Sequence, residues 1–291
     1  MPSIDRLDAL DAETFRRDYV RKCRPVVLTG VAKQWPAAQA WTLPYLKQHA
    51  GHVRVTVRRT DQSHTELDEA SMHLGYQNLD RMLDECARHP ELETYTPGIA
   101  LEPLETLMND VRRPAVLEGL DLNSAVLFVG QNGRGFGHMH PRSQAFLCNV
   151  IGTKSFDLYA PWDLHNVHMR SPLEPGFWRS KVNFHNLDLE RFPRLARAKR
   201  HTVLLRPGDA LFIPVHWLHV PTSHDFSAAV TFWWQASLRD TNSLPAVARS
   251  AIGIASMHAR QQRDQAAHRA DLYRRTLRLF LRRLRTRLPG A

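Results

Sequence analysis

Apolar positions along this chain recur first at helical spacing, then in short strand-like runs, then at helical spacing again. Residues 4–22 carry Phe15, Tyr19 and Val20 on one stripe and predict a short amphipathic helix. Arg24 to Gly30 reads as a strand closed by glycine, 35–41 as a loop and Leu43–His49 as a helix. Val53–Arg58 alternates, as a half-exposed strand should, and 77–89 returns to the helical period. A proline-punctuated loop follows to about residue 103. Ala125–Val129 predicts a buried strand, and the glycine-rich loop Gly130–Gly137 leads into an extended segment at His138. Ala145–Ile151 and Ser155–Tyr159 predict two strands joined by a turn at Gly152-Thr153. Residues 161–200 lack a period and hold four prolines, which predicts a long excursion with a short helix near Leu189–Ala198. Strands resume at Thr202–Leu205, Ala210–Pro214 and Phe226–Trp234, and from Leu244 onward the pattern is helical.

Short strands between helical flanks predict a mainly β fold, a barrel or sandwich, with helices at both ends. No internal repeat divides the chain. The natural partition is a body over 1–240 and an arginine-rich helical segment over 241–291. Charge sharpens that partition. The net charge is +10, but residues 241–291 hold eleven arginines against two acids, so the body is nearly neutral. The charge therefore describes the last helix and says little about what the body binds. In that helix Tyr273, Leu277, Phe280, Leu281, Leu284 and Leu288 form an apolar stripe with arginines opposite. Leucines at regular spacing with few aromatics favour packing on the body or a homodimer over nucleic acid or a membrane surface. No apolar run reaches the roughly 20 residues of a membrane span. The first residues lack a secretory pattern, and three widely spaced cysteines suit reduced thiols, so the expected location is cytoplasmic.

The chemistry concentrates in Gly137 to Lys154. His138 and His140 are two apart, so an extended backbone projects both imidazoles to one face. Lys154 on the following strand adds a cation, and together they outline a pocket for a metal and an anion. A third ligand is needed, and His219 is the best candidate. Three neutral imidazoles can hold a divalent first-row metal and leave coordination positions open. His216, His165, His168, His185, His201 and His224 read instead as structural or surface histidines, and Asp157, of opposite parity to Lys154, points outward. Cys148 reads as a small core residue and Trp217, Trp233 and Trp234 as core or pocket wall. Arg142 could meet an acidic substrate or lie in solvent.

The segment Pro207-Gly-Asp-Ala-Leu-Phe-Ile-Pro-Val-His-Trp-Leu-His219-Val resembles the second metal-binding strand of the JmjC and cupin-like (cupin 8) oxygenases. Arg24–Gly30 resembles that family's opening strand, Gly152–Leu158 its G-x-K-x-[FW]-x-L segment, Phe192-Pro193 its F-P pair, and Val230–Trp234 its closing strand. Together these run in the family's order over most of residues 4–240. The resemblance implies a double-stranded β-helix (jelly-roll) that holds Fe(II) and the cosubstrate 2-oxoglutarate. It also implies hydroxylation of a peptide or protein side chain, similar to the factor-inhibiting-HIF type of asparaginyl hydroxylase. By the same resemblance His138, His140 and His219 bind the metal, Lys154 pairs with the distal carboxylate of 2-oxoglutarate, Thr231 lies near the metal to hydrogen-bond cosubstrate or water, and Asn149 either faces the cosubstrate or has a pairing role within the sheet. The family pattern has a carboxylate where this chain has His140, which raises the charge at the metal by one unit. His138 to Lys154 also spans sixteen residues, about one more than the family's usual spacing, so His140 could itself be the first ligand. Two functions follow from that departure: an Fe(II)- and 2-oxoglutarate-dependent hydroxylase of a peptide, protein or small molecule, or a cupin-like metal-binding or scaffold protein without turnover. The loops that would choose a substrate carry no recognisable motif.

Overall fold

Between Ala145 and Ile151 only Asn149 is polar, and the reason is that both faces of that strand are covered. Phe146, Cys148 and Val150 pack beneath a helical layer, while Ala145 and Leu147 face a second sheet. The structure is a computed structural model describing residues 3–60, 66 and 72–287, with the side chains of 60, 72, 73 and 269–287 outside the description.

The described elements run β1 (Asp5–Leu7), α1 (Ala12–Thr14, widening into π-type turns over Phe15–Val20), β2 (Val26–Leu28), α2 (Pro36–Ala40), α3 (Leu43–Ala50), β3 (Arg54–Thr60), β4 (Met72–Asn78) and α4 (Leu79–Arg88). Then come β5 (Thr94–Tyr95), β6 (Ile99–Ala100), α5 (Glu105–Asn109), β7 (Leu122–Gln131), β8 (Ser143–Ile151) and β9 (Lys154–Tyr159). The last are β10 (His201–Leu205), β11 (Ala210–Ile213), β12 (Leu218–Ser223), β13 (Phe226–Gln235) and α6 (Leu244–Arg287). Among the described residues the large sheet runs β1-β2-β11-β8-β13-β7-β5-β3-β4, with β6 also on β7, and the small sheet runs β10-β9-β12. All pairings are antiparallel except β1 with β2. The inner faces meet through Leu147, Phe156, Leu158, Leu205, Leu211 and Ile213, which is the jelly-roll core. The outer face of the large sheet packs on α1 to α5 through Phe15, Trp35, Leu46, Met82 and Leu107.

Several sequence expectations change in the folded chain, and the loop expected to about residue 103 contains β5 and β6. Residues 4–22 are not one helix: Asp5–Leu7 pairs with Val26–Leu28 on the sheet edge, and the helix begins after Asp11, whose carboxylate accepts the Thr14 amide (2.9 Å). The segment 35–41 contains α2, because Pro36 sits in the first turn where a missing amide hydrogen does no harm. Residue 77 belongs to β4, and α4 starts only at Leu79 with Leu79, Met82, Leu83 and Cys86 buried. Near 189–198 there is a 3-10 segment, Pro193–Arg197, rather than a longer helix.

The last helix is continuous from Leu244 to Arg287, and its first turns belong to the body. Ala246 is buried, Arg249 donates to the carbonyls of Arg170 and Phe177, and a Cβ added at Gly253 would lie 2.4 Å from the Phe177 ring. Residues 261–268 are exposed. The apolar stripe from Tyr273 to Leu288 falls outside the described side chains. No helix among the described residues is long and apolar enough to cross a membrane.

Candidate functional site

His138 and His140 sit in the connection between β7 and β8, not in a regular strand. His138 alone makes a ladder contact: its amide donates to His219 O (3.1 Å) and accepts the return bond at its own carbonyl (2.8 Å). The His216 amide donates to His140 O (3.1 Å), so both ends of the His-x-His segment are tied to the approach of β12. Side-chain alternation survives without a strand. Met139 turns away into a separate core cluster, and the two flanking imidazoles turn together. Gly137 permits the close approach, because a Cβ there would lie 2.4 Å from the Phe184 ring.

The imidazoles of His138, His140 and His219 converge. Each offers one ligand atom, all within 4.8 Å of one another, a group able to hold a metal ion. The ring centroids of His138 and His219 are 4.1 Å apart, those of His140 and His219 4.6 Å. His138 Nδ1 lies 3.1 Å from Phe136 O, and His219 Nδ1 lies 3.1 Å from Trp217 O. Those carbonyls accept an Nδ1 hydrogen, which leaves both Nε2 lone pairs for the common centre. His140 Nδ1 has no such partner, and its ring meets Trp233 edge-on at 4.4 Å. Burial, then the His219 imidazole, holds His138 and His140 well below the usual histidine range, and burial takes His219 down to about 4. At neutral pH all three are uncharged, the form that ligates metal.

Lys154 opens β9 and is 1% exposed. Its ammonium donates to Ser223 Oγ (2.6 Å) and Ser227 Oγ (3.2 Å) and stands 5.5 Å from the centre of the Tyr95 ring. Burial brings its pKa down to about 8. Among the described residues it has no salt bridge, so a buried cation is held by hydroxyls alone. An anion there would relieve that cost. Thr231, 2% exposed, lines the same cavity and its Oγ1 lacks a hydrogen-bond partner.

Asn149 is placed differently from the expectation. It shares the inner face with Ala145 and Leu147 but lies farther along β8, beside a bulge in the β13 pairing, and is not in the cavity wall. Its amide nitrogen donates to Gly152 O (2.7 Å) and reaches Leu205 O (3.5 Å), bracing the turn that carries Lys154. Asp157 faces outward and accepts Thr202 Oγ1 (2.6 Å). Cys148 is a buried core thiol, and Trp217 is core, donating to Cys23 O (2.8 Å). Arg142 is exposed.

The cavity over the histidines encloses about 60 Å³ and is walled by Tyr95, Phe128, Leu147, Phe156, Ile213 and Trp233 beside the polar residues already named. That is room for about two water molecules. Sequence reading missed Tyr95, Phe128, Ser223 and Ser227, which come from elements far apart in the chain. The pairings of β5 with β7, of β12 with β9 and of β13 with β7 bring them together. The donor set fits a divalent metal and the buried lysine fits a dicarboxylate.

Residues 12–240 match the cupin-like domain family. The chain belongs to that family. It is 27% identical over 252 residues to the tRNA wybutosine-synthesizing protein 5 of Gallus gallus, covering 80% of this chain and 77% of the relative. It is 29% identical over 242 residues to lysine-specific demethylase 8 of Danio rerio (79% of this chain, 58% of the relative). It is likewise 29% identical over 249 residues to Jumonji C domain-containing protein 5 of Drosophila melanogaster (80% and 60%). The chain thus spans 58% and 60% of the length of those last two relatives. The JmjC branch of the cupin-like family consists of oxygenases that generally use Fe(II) and 2-oxoglutarate.

Proposed function

We propose that this protein is an Fe(II)- and 2-oxoglutarate-dependent hydroxylase acting on a peptide or protein side chain, with His138, His140 and His219 as the metal ligands. The observation that carries the reading is the convergence of three neutral imidazoles beside a buried lysine that has no carboxylate partner among the described residues. When bound, iron and 2-oxoglutarate supply the oxidising chemistry: dioxygen is consumed, the cosubstrate becomes succinate and carbon dioxide, and a C–H bond gains a hydroxyl.

The chain's residues bind and orient. The Phe136 and Trp217 carbonyls fix the tautomers of His138 and His219. Lys154 holds the distal carboxylate, with Ser223 and Ser227 orienting the ammonium, and Thr231 Oγ1 is placed to donate to a ligand oxygen. Asn149 acts at one remove, by holding the turn before Lys154. Leu147, Phe156 and Ile213 keep the inner wall dry, which strengthens each polar contact inside it.

His140 favours a second reading, a cupin-like protein that binds ligands without turnover, because a neutral ligand replaces an anionic one. Metal content and 2-oxoglutarate binding of the anaerobic full chain decide between them. Stoichiometric iron and cosubstrate in the wild type, both lost in His140→Ala, support a working three-histidine site. If the wild type holds neither and His140→Asp gains both, the second reading stands. We also infer that the arginine-rich end of α6 pairs with a second copy through its apolar stripe, with the cytoplasm as the site of action.

A further inference from the structure

Lys154 is not the only buried cation here: a second stands behind the cavity wall, outside its lining residues. Arg58, on β3, is 6% exposed, makes no salt bridge or hydrogen bond to a described residue, and has a sealed Nε without an acceptor. Two rings hold it. Its guanidinium carbon lies 5.1 Å from the centre of Tyr95 and 4.8 Å from the centre of Phe136. Tyr95 walls the cavity and meets Lys154 at 5.5 Å, and the Phe136 ring is 5.1 Å from that of His138. Arg58 is therefore one ring away from the lysine on one side and one ring away from the histidine cluster on the other. Glu93, whose charge reaches Arg58, accepts the Arg134 amide (3.1 Å).

A second, independent feature points to a ligand. The cavity wall contains Lys154 and three imidazoles and no Asp or Glu. With a divalent metal present, one dicarboxylate does not balance the metal, Lys154 and Arg58 together. Stacking on aromatic faces recovers only a part of what burying a guanidinium loses, and its planar edge remains a fork for an oxyanion. We propose that Arg58 anchors an oxyanion, a carboxylate or phosphate, carried by the substrate and presented beside the metal centre. The site therefore selects an acidic substrate. This deepens the hydroxylase reading and rests on it for the word substrate; the anion site itself does not.

The test is calorimetric titration of the full chain with acetate and, separately, inorganic phosphate. It is run metal-free and again after saturation with Mn(II) and 2-oxoglutarate, on wild type, Arg58→Gln, Arg58→Lys and Lys154→Met. The expected result is one saturable anion per chain in wild type loaded with Mn(II) and 2-oxoglutarate, and a second at Lys154 in the metal-free protein; Arg58→Gln weakens the first about tenfold or more, and Lys154→Met keeps it while losing 2-oxoglutarate. The stronger of the two probes names the oxyanion. Absence of a saturable anion in wild type, or unchanged affinity in Arg58→Gln with an unchanged melting temperature, overturns the proposal. Should Arg58→Gln fail to fold, Arg58→Lys decides: an ammonium lacks the bidentate fork, so several-fold weaker binding is expected and equal affinity refutes the anchor. Failure of 2-oxoglutarate to bind wild type, with the Arg58-dependent anion intact, sinks the hydroxylase reading alone.

Discussion

A lysine and three histidines, all stripped of water, set the pH behaviour of this protein. Lys154 has its folded pKa brought down to about 8 by burial. Above that value the ammonium is lost and with it the partner for a carboxylate, so 2-oxoglutarate affinity should fall by up to about tenfold per pH unit beyond pH 8. Lys154→Met should bind weakly at every pH, which an affinity-against-pH curve for both proteins checks. The histidines act at the other end. Their folded pKa values lie below the unfolded value, so the unfolded chain takes up protons first and stability falls as pH drops from about 6.5. It should continue falling to about 4, where His219 itself titrates. His219 alone contributes on the order of 3 kcal/mol to that loss. Melting temperatures of metal-free protein between pH 7 and pH 4 measure it, and His219→Gln should flatten the slope. At this scale His138, His140, His219 and Lys154 were legible because their spacing and residue types carry the chemistry. Arg58 and Tyr95 were not, since their significance lies in rings that come from β5 and the β7–β8 connection.

Two tight connections carry the site at the level of elements. The β8–β9 turn places Lys154, and Gly152 there has φ +71°, with a would-be Cβ 2.2 Å from the backbone oxygen of Phe226. Backbone cannot yield as a side chain can. Gly152→Ala should therefore cost about 2 kcal/mol or more in denaturant unfolding and weaken 2-oxoglutarate binding while leaving metal uptake intact. The other connection is the His-x-His segment, which the sequence presents as strand and the fold as irregular chain pinned at His138 by isolated bridges to His219 and Arg179. The local pattern was right about which way the rings point. It was silent on why, because the bonds that fix the segment come from His216, His219, Trp178 and Ser180, far along the chain. The N-terminal helix was misread for a related reason: Asp5–Leu7 satisfies its backbone on a sheet edge formed by residues some twenty positions later, and that pairing outweighs helical periodicity.

Over the whole molecule, charge and fold are divided. The nearly neutral jelly-roll carries the candidate site, and the net positive charge gathers along α6, whose first turns are locked to the body by Ala246, Arg249 and Gly253. A chain ending after Gln262 keeps those contacts. It should retain its metal and anion binding and its melting behaviour, whereas light scattering should show a dimer for the full chain and a monomer for the shortened one. A dimer in both would move the interface to the body.

By itself the sequence determined the strand and helix periods of the central region, the separation of a basic helix from a neutral body, and the four side chains around which a metal and a dicarboxylate can be held. The periods and the charge are properties of adjacent residues, which spacing records; the dicarboxylate is what the family resemblance implies for Lys154. Only the tertiary structure decided that Asn149 braces a turn outside the cavity wall, that Tyr95 and Phe136 hold Arg58, which has no ion pair among the described residues, behind that wall, and that Asp5–Leu7 is a strand. Each of those outcomes depends on which backbone reaches which across the two sheets. Desolvation and pairing in the folded state, not local propensity, set their energies.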